Sequence, residues 1–190
     1  IPLRLVGSEM CIRDRLKLGT KIPHFELKNA LDDKIYASSS LSNGKPSLIM
    51  VICNHCPYVI HYHEELKRMN NDFGDSINFV AISSNDIMNY PQDGPDQMKE
   101  LFLNLGLSFP YLFDETQDIA KVLRAECTPE FYLYDNNDML VYRGRMDNSS
   151  PGNDIEVSGS DLRNACSNLL RGVQIPSNQH PSMGCNIKWK

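Results

Sequence analysis

The sequence predicts an α/β protein in which a central mixed β-sheet is flanked by helices on both faces. Short apolar runs that suit buried strands alternate along the chain with longer segments whose apolar residues recur every three or four positions. This alternation is typical of a sheet with helices packed on its faces. The chain has 190 residues, which is enough for one domain with a sizeable core.

The first part of the chain carries two short extended pieces, a buried strand and an amphipathic helix. The short pieces are residues 25–27 and 34–36, on either side of a polar turn. A Gly-Lys-Pro turn at 44–46 leads into the apolar strand 47–52. The helix that follows ends at Gly74 and has one apolar stripe, formed by Val59, Tyr62, Leu66, Met69 and Phe73.

A second strand, residues 77–83, is followed by a long loop at 84–96. Loops of this length are often functional, so this one either rims a site or is a plain surface excursion. The next helix closes at Gly106, a strand occupies 109–113, and Asp114 is predicted to cap a further helix. The apolar residues of these two helices are Met98, Leu101, Phe102 and Leu105 in the first and Ile119, Val122 and Leu123 in the second.

The last part of the chain predicts a hairpin and a helix. Residues 127–134 and 139–142 are two strand-like runs around a polar turn. Because proline is excluded from the middle of a central strand, Pro129 should mark the entrance of the first run. The final helix is bounded by Ser160 and Gly172. Its stripe includes Cys166, which we expect to be buried and inert.

The two ends of the chain are expected to differ from the domain between them. Residues 1–15 resemble one reading frame of a transposase adapter used in sequencing libraries. We therefore interpret them, with Cys11, as a sequencing artefact and exclude them from the fold. Residues 16–172 are expected to form one domain, and residues 173–190 a tail packed on it.

Charge and cysteine usage exclude several classes of protein. The formal net charge is -5 and no basic residues cluster, so we expect no nucleic-acid partner. No apolar run approaches the roughly 18 residues that span a bilayer, and no membrane contact is expected. Beyond Cys11, the cysteines are odd in number and too few for a disulfide-dense secreted scaffold. This favours reactive thiols and a cytoplasmic location, although the authentic N-terminus is expected to be missing.

The most informative stretch is Cys-Asn-His-Cys-Pro-Tyr at residues 53–58, which follows a strand and opens a helix. Unpaired N–H groups at a helix N-terminus stabilise a thiolate and lower the pKa of a cysteine. Pro57 suits the first position of a helix and would disrupt the fourth, which makes Cys56 the N-cap. We therefore predict that Cys56 is a nucleophile and that Cys53 is its partner or shapes its pocket. The other interpretation is a pair of buried core thiols.

Four segments carry a resemblance to a known family. The run Gly-Thr-Lys-Ile-Pro-His-Phe-Glu-Leu at 19–27 looks like the opening segment of redoxins. Together with the motifs at 53–58 and 127–130 and the ending Gly-Cys-Asn-Ile-Lys-Trp at 184–189, it makes the chain similar to the peroxiredoxin-like, AhpC/TSA-type branch of the thioredoxin superfamily. The likeness covers residues 16–190.

The resemblance implies a thioredoxin-like fold and a thiol-dependent redox activity. It implies that the Thr128–Pro129 bond is cis and packs against Cys56, and that Thr128, Pro129 and His55 contribute to substrate binding. His55 could also stabilise the thiolate as an adjacent cation, or be a solvent-facing loop residue.

The motif also departs from both relatives that it resembles. Thioredoxins carry a second cysteine three residues after the capping one, where this chain has Val59. Peroxiredoxins carry a threonine three residues before the reactive cysteine, where this chain has Cys53. The resemblance therefore implies a redox fold more firmly than it implies a particular reaction.

The predicted mechanism starts with the Cys56 thiolate, which attacks a disulfide sulfur or a peroxide oxygen. A second thiol then resolves the product. Cys53 is the nearest candidate, and Cys127 and Cys185 are further possible resolving thiols. The partner would be a thiol or disulfide redox protein, or a peroxide substrate with an antioxidant role. No cofactor and no metal are predicted, and the sequence leaves the oligomeric state open.

Two alternatives of other classes remain open at this point. Thioredoxin-fold copper chaperones also place two cysteines near a helix start and add a distant histidine, and soft thiolates suit Cu(I). Cys53 and Cys56 with His180 or His24 could supply such a set. The second alternative is a binding protein whose fold has lost catalysis. Arg143 could stabilise negative charge at the site, as could Arg145, but both residues also suit solvated strand ends.

The C-terminal tail, residues 173–190, contains two prolines and the only tryptophan of the chain. A solvated polar tail would gain nothing from an apolar ending. We therefore predict that the tail folds back, buries Ile187 and Trp189, and holds Cys185 near Cys56 or Cys127. The alternative is that Trp189 merely docks the tail while Cys185 stays unpaired.

Overall fold

The computed structural model describes residues 15–190. The strands are, in chain order, β1 Glu26–Asn29, β2 Ile35–Ala37, β3 Ser47–Val51, β4 Asn78–Ser83, β5 Tyr111–Phe113, β6 Cys127–Thr128, β7 Glu130–Tyr134, β8 Leu140–Gly144 and β9 Cys185–Asn186. The α-helices are α1 Pro57–His61, α2 His63–Phe73, α3 Pro95–Leu105, α4 Asp118–Val122 and α5 Ser160–Leu170. The predicted artefact at residues 1–15, with Cys11, lies outside the described residues except for Arg15, which donates a hydrogen bond to the backbone oxygen of Gln179.

The main sheet is mixed and has the strand order β2-β1-β5-β4-β3-β7-β8. The central strands β3, β4 and β5 run parallel, and β7, β8, β1 and β2 extend them with antiparallel pairings. The predicted hairpin is therefore the β7–β8 edge of this sheet. Strands β6 and β9 form a separate antiparallel pair, which joins the C-terminal tail to the segment before Pro129.

The core lies on both faces of the sheet, and β3 contributes side chains to each face. Leu48 and Met50 belong to a cluster with buried residues of α1, α2, α3 and α5. Ile49 and Val51 belong to a second cluster, which contains buried residues of α4. Successive side chains of a strand point to opposite faces, so the continuous apolar run reflects burial on both sides. The predicted central mixed sheet with helices on both faces is confirmed.

The helix predicted after Cys56 is divided into two by Tyr62. The backbone of Tyr62 (φ -100°, ψ 2°) ends α1 and begins α2. Its hydroxyl lies 2.8 Å from Asp147 Oδ1 and 2.6 Å from the backbone oxygen of Ser149, so this tyrosine is fixed to the loop after β8. The rest of the predicted stripe packs as expected, and Gly74 caps the end of α2.

Two predictions for α4 are wrong. Its N-cap is Gln117, whose φ is +65°, and Asp114 instead accepts a hydrogen bond from the backbone N–H of Ala120 at 3.0 Å. The loop thus needs three more residues before the helix begins. Val122 is exposed rather than part of the core, because the helix is short and offers only one side to the sheet.

The C-terminal tail packs on the domain through β9, but not in every predicted detail. Ile187 is buried in the second cluster, and its backbone N–H donates to the oxygen of Glu126 at 3.1 Å. Trp189 is 44% exposed, so the prediction that it is buried is wrong. The aliphatic side chain two residues earlier provides the apolar contact. Within residues 15–190, no helix combines the length and the apolar character needed to cross a bilayer.

Candidate active site

Cys56 is the N-cap of α1, and Pro57 is the first residue of that helix. The backbone oxygen of Cys56 accepts hydrogen bonds from Val59 N–H and Ile60 N–H at 2.9 and 3.0 Å. The placement inferred from Pro57 is therefore confirmed. Helix α1 has only five residues, so its dipole is a weak source of thiolate stabilisation.

Hydrogen bonds from neighbouring residues favour the thiolate of Cys56. A hydrogen bond from the Cys53 thiol lowers the pKa of Cys56 to about 4, and further bonds from Cys185 and Thr128 act in the same direction against the effect of burial. Cys185 contributes both its side chain and its backbone. In the opposite direction, the Cys56 thiol can donate to the backbone oxygen of Thr128, which lies 3.2 Å from its Sγ, and the side chain is fully buried; both contacts favour the protonated form.

Cys53 is the protonated member of the pair. The same hydrogen bond to Cys56, together with burial and the negative charge of Asp93, raises the pKa of Cys53 far above its usual range. Its Sγ also lies 3.4 Å from Thr128 Oγ1. One thiolate and one thiol in contact are what a two-cysteine exchange site needs, because the first sulfur can attack while the second keeps a proton.

The segment before Pro129 packs directly on both sulfurs. The Thr128–Pro129 peptide bond is cis, as the resemblance implies, and Thr128 is buried. Its hydroxyl faces Cys53 and its carbonyl faces Cys56. Strand β6 presents these groups beside the cysteine pair, so the two motifs that the sequence singles out meet at one place.

Asp93 is the site residue that the sequence analysis missed. It is completely buried, and its Oδ1 accepts hydrogen bonds from the backbone N–H groups of Asn54 and His55 at 2.8 and 3.3 Å. Its Oδ2 lies 2.6 Å from His55 Nδ1 and accepts from Asn85 Nδ2 at 2.8 Å. The long loop at 84–96 therefore rims the cysteine site and holds the turn between the two cysteines.

The loop also fixes His55. The imidazole ring stacks on Tyr90 with a centroid separation of 5.6 Å and an interplanar angle of 6°, while Nδ1 faces Asp93. These contacts attach the histidine to the rim of the site. His55 thus lies next to the cysteine pair in the chain, but its observed partners belong to the loop.

The remaining candidate residues lie at different distances from this centre. Cys127 is half-buried, and burial followed by the charge of Glu130 raises its pKa, so it stays a thiol. Cys166 is buried in the core and burial raises its pKa to about 12, as expected for an inert thiol. Arg145 is paired with Asp161 at 2.7 Å.

The charge of Arg143 also belongs to another part of the molecule. Arg143 is half-buried and interacts with Arg15, Tyr132 and Glu130. Arg145 is thus paired with a residue of α5, and the charges that act on Arg143 are those of Arg15 and Glu130 rather than those of the cysteine pair.

A metal site built on the cysteine pair with a distant histidine is not what the structure assembles. Within residues 15–190, the one group of three or more potential ligand atoms that all lie within 4.8 Å of one another belongs to Cys53, His55 and Asp93. His24 and His180 are exposed and are not in this cluster. Both oxygens of Asp93 already accept hydrogen bonds, so the cluster fits a network that orients the loop better than it fits a metal centre.

The fold and the site define a redoxin of the thioredoxin superfamily, with a cysteine at a helix start beside a cis-proline. The AhpC/TSA family matches residues 18–143. The chain belongs to this family.

Two solved structures are similar over nearly the whole chain. An uncharacterized conserved protein from Geobacillus kaustophilus is 46% identical, with a TM-score of 0.88, over 92% of this chain and 93% of that chain. A hypothetical protein from Sinorhizobium meliloti 1021 is 37% identical, with a TM-score of 0.88, over 92% and 96%. Comparison with curated proteins finds no match.

A more distant structure shares the fold. A secreted Mycobacterium tuberculosis disulfide oxidoreductase homologous to E. coli DsbE is 17% identical, with a TM-score of 0.59, over 76% of this chain and 96% of that chain. At this identity the likeness concerns the fold alone. Family membership and fold together assign a thioredoxin-like redox function to the chain.

Proposed function

We propose that the protein is a thiol-dependent oxidoreductase that reduces disulfides through the thiolate of Cys56. The observation that carries this proposal is the asymmetric pair of sulfurs. The hydrogen bond between the two cysteines lowers the pKa of Cys56 and raises that of Cys53, so Cys56 is the sulfur that ionises first. The cis Thr128–Pro129 segment against both sulfurs supports the same assignment, with Thr128 and Pro129 as the substrate-facing wall.

The proposed reaction is two successive thiol–disulfide exchanges. The Cys56 thiolate attacks one sulfur of a disulfide, a mixed disulfide forms, and the other sulfur leaves as a thiolate that takes a proton. A second thiol of the protein, deprotonated as it attacks, then bonds to Cys56 and releases the substrate as a dithiol. The protein ends as an internal disulfide, and a reducing thiol partner must return the two electrons.

Cys53 is the first candidate for the resolving thiol, because it lies three residues before Cys56 in the same turn and packs on the same residue, Thr128. Cys185 also hydrogen-bonds to Cys56 and is the second candidate. Cys127 is the third, since it lies on β6 next to the site. His55 contributes to the rim against which a substrate would lie.

Reduction of peroxides is a second candidate function, favoured by the burial of Cys56. A peroxide is small enough to approach a sulfur that a folded protein cannot reach. The thiolate would attack one peroxide oxygen to give a sulfenic acid and release an alcohol or water, and a thiol would then form a disulfide with loss of water. This reaction would give the protein an antioxidant role, and we extend the proposal to a cytoplasmic location, where thiols are kept reduced.

Turnover by two single-cysteine variants tests the proposal. Reduction of insulin disulfides and consumption of hydrogen peroxide are measured with a dithiol as electron donor. Cys56→Ser is expected to abolish the activity. Cys166→Ala removes a buried thiol of α5 and is the matched control, which should retain the activity. Equal turnover by the Cys56→Ser variant and the parent would contradict the proposal.

The two functions of other classes are separated by simple measurements. A copper-binding protein would retain metal when purified in reduced form, and a non-catalytic binding protein would show no loss of thiols after a peroxide pulse. The proposal expects thiol loss with peroxide and turnover with no metal added.

A further inference from the structure

The C-terminal tail is seated on the candidate site as an added strand. In the β6–β9 pair, Cys185 lies opposite Thr128 and Asn186 lies opposite Cys127. Cys185 thereby lies beside the site, because Thr128, its partner in the pair, has its carbonyl oxygen 3.2 Å from Cys56 Sγ, and the side chain and backbone of Cys185 both lower the pKa of Cys56. An extended segment of the chain thus presents a cysteine to the thiolate while its backbone pairs with the strand before the cis-proline.

The tail is held at its far end by one apolar anchor and several backbone hydrogen bonds. Ile187 is buried among residues of the second core cluster. Beyond it, Lys188 N–H donates to Asn85 Oδ1 at 2.9 Å, and Lys188 oxygen accepts from Asp86 N–H at 2.8 Å. The Lys188 ammonium lies 5.6 Å from the centre of the Tyr90 ring. The segment therefore spans from β6 to the long loop, across the mouth of the site.

This arrangement closes the site to any large substrate. Cys56 is fully buried, and the sulfur of a protein disulfide must touch it for exchange to occur. Of the elements around Cys56, the cysteine turn and β6 belong to the domain, whereas β9 belongs to the tail and pairs through only two residues. The tail is the element whose departure would expose both the thiolate and an unpaired strand edge.

We propose that residues 184–189 occupy a docking site for an extended, cysteine-containing segment of a partner protein, which binds by displacing them. This inference rests on the proposed function and specifies its substrate class: a protein disulfide whose chain pairs with β6, as peptides add to exposed strand edges elsewhere. The tail then competes with the partner as an intramolecular ligand. The effective concentration of the tail at β6 determines how tightly a partner must bind to displace it.

The contacts of the tail define what the partner segment should contain. A Cβ at Gly184 would lie 1.9 Å from the backbone oxygen of Thr128, so the residue before the partner cysteine should be glycine. The site of Ile187 calls for an aliphatic residue two positions after the cysteine. Tyr90 calls for a basic residue after that, because a cation over an aromatic face is favourable.

Peptide binding tests this directly. A fluorescent peptide with the sequence of residues 183–190 is titrated into full-length chains that carry Cys56→Ser, in the presence of a reductant that keeps the remaining cysteines and the peptide cysteine as thiols, so that no disulfide forms. A further substitution in the chain, Gly184→Val or Ile187→Asp, is expected to dislodge the tail. Both variants should bind the peptide about tenfold or more tightly than the chain with an intact tail. This factor is expected when the form with the tail docked outnumbers the form with the tail released by about ten to one. Asn186→Ser, at an exposed position, is the matched control and should leave binding unchanged.

The peptide itself supplies the second arm of the experiment. Peptides that carry Gly184→Val or Ile187→Asp should bind weakly to every chain, and a peptide that carries Asn186→Ser should bind like the parent peptide. On the chain with an intact tail, the peptides should show the same order of affinity at higher peptide concentrations. The comparison of peptides therefore remains valid even if both tail variants unfold. Equal binding of all peptides, or no binding by any chain, overturns the proposal. Because Cys56 is absent, that failure is distinct from a loss of turnover.

Discussion

Removal of the Cys53 thiol is expected to raise the pKa of Cys56. The hydrogen bond from Cys53 is the largest of the contributions that hold this pKa at about 4. A hydrogen bond to a charged group contributes about 1.5–3 kcal/mol, and about 1.4 kcal/mol corresponds to one pKa unit. In Cys53→Ala, the pKa of Cys56 should therefore rise by about 1 to 2. The bonds from Cys185 and Thr128 remain and keep it below that of a free cysteine.

The measurement is the ultraviolet absorbance of the thiolate as a function of pH. Subtracting the curve of the matching variant that also carries Cys56→Ser isolates the signal of Cys56. Cys53→Ser is the control, because a hydroxyl at the same place can still donate and should preserve most of the lowered pKa. An unchanged midpoint in Cys53→Ala would show that the Cys53 thiol does not stabilise the Cys56 thiolate. So would a parent midpoint near the value of about 8.5 for a free cysteine.

Three further predictions follow from other contacts. Ile187→Ala removes the apolar anchor of the tail, which costs about 2–5 kcal/mol for a buried isoleucine. The variant should therefore increase the rate at which Cys56 is alkylated. An unchanged rate would show that release of the tail does not control access to Cys56. Burial raises the pKa of Glu130 to about 7, above its unfolded value of about 4.3, so its contribution to stability is present below about pH 4 and is lost as the pH rises through about 7. In denaturant unfolding, the free energy of unfolding of Glu130→Gln minus that of the parent should therefore rise by about 3 kcal/mol between about pH 4 and pH 8. A difference that does not change with pH would contradict this. Asp93→Ala leaves two backbone N–H groups without an acceptor and should lower the free energy of unfolding by about 3 kcal/mol. The NMR signals of His55 should also show that its ring is no longer held in one position. A loss below about 0.5 kcal/mol would contradict the structural role of Asp93.

The cysteine site was predictable because its determinants are local. Pro57 alone places Cys56 at the helix start, since proline is tolerated there and not one turn later. The incompatibility of proline with a central strand places Pro129 at the entrance of its strand, whereas the site role of Thr128 and Pro129 was implied by the family resemblance. The apolar run of β3 predicts burial on both faces, and both core clusters contain its side chains.

The parts that the sequence did not reveal depend on contacts between distant segments. Asp93 is one acidic residue in a loop with several others, and only its burial against the cysteine turn distinguishes it. The exposure of Trp189 was missed because an aromatic residue was expected to be the anchor, whereas Ile187 has that role. Cys185 was expected near either Cys56 or Cys127, and the register of β9 on β6 sets it opposite Thr128, the residue between Cys127 and the cis-proline.

Mass mapping of the disulfides formed after a stoichiometric pulse of oxidant tests directly whether Cys56 is the nucleophile. Cys56 is expected in the first disulfide to form, with Cys53 or Cys185 as its partner, and Cys166 is expected to stay reduced. A first disulfide that lacks Cys56, or an oxidised Cys166 beside an intact Cys56 thiol, would contradict this assignment.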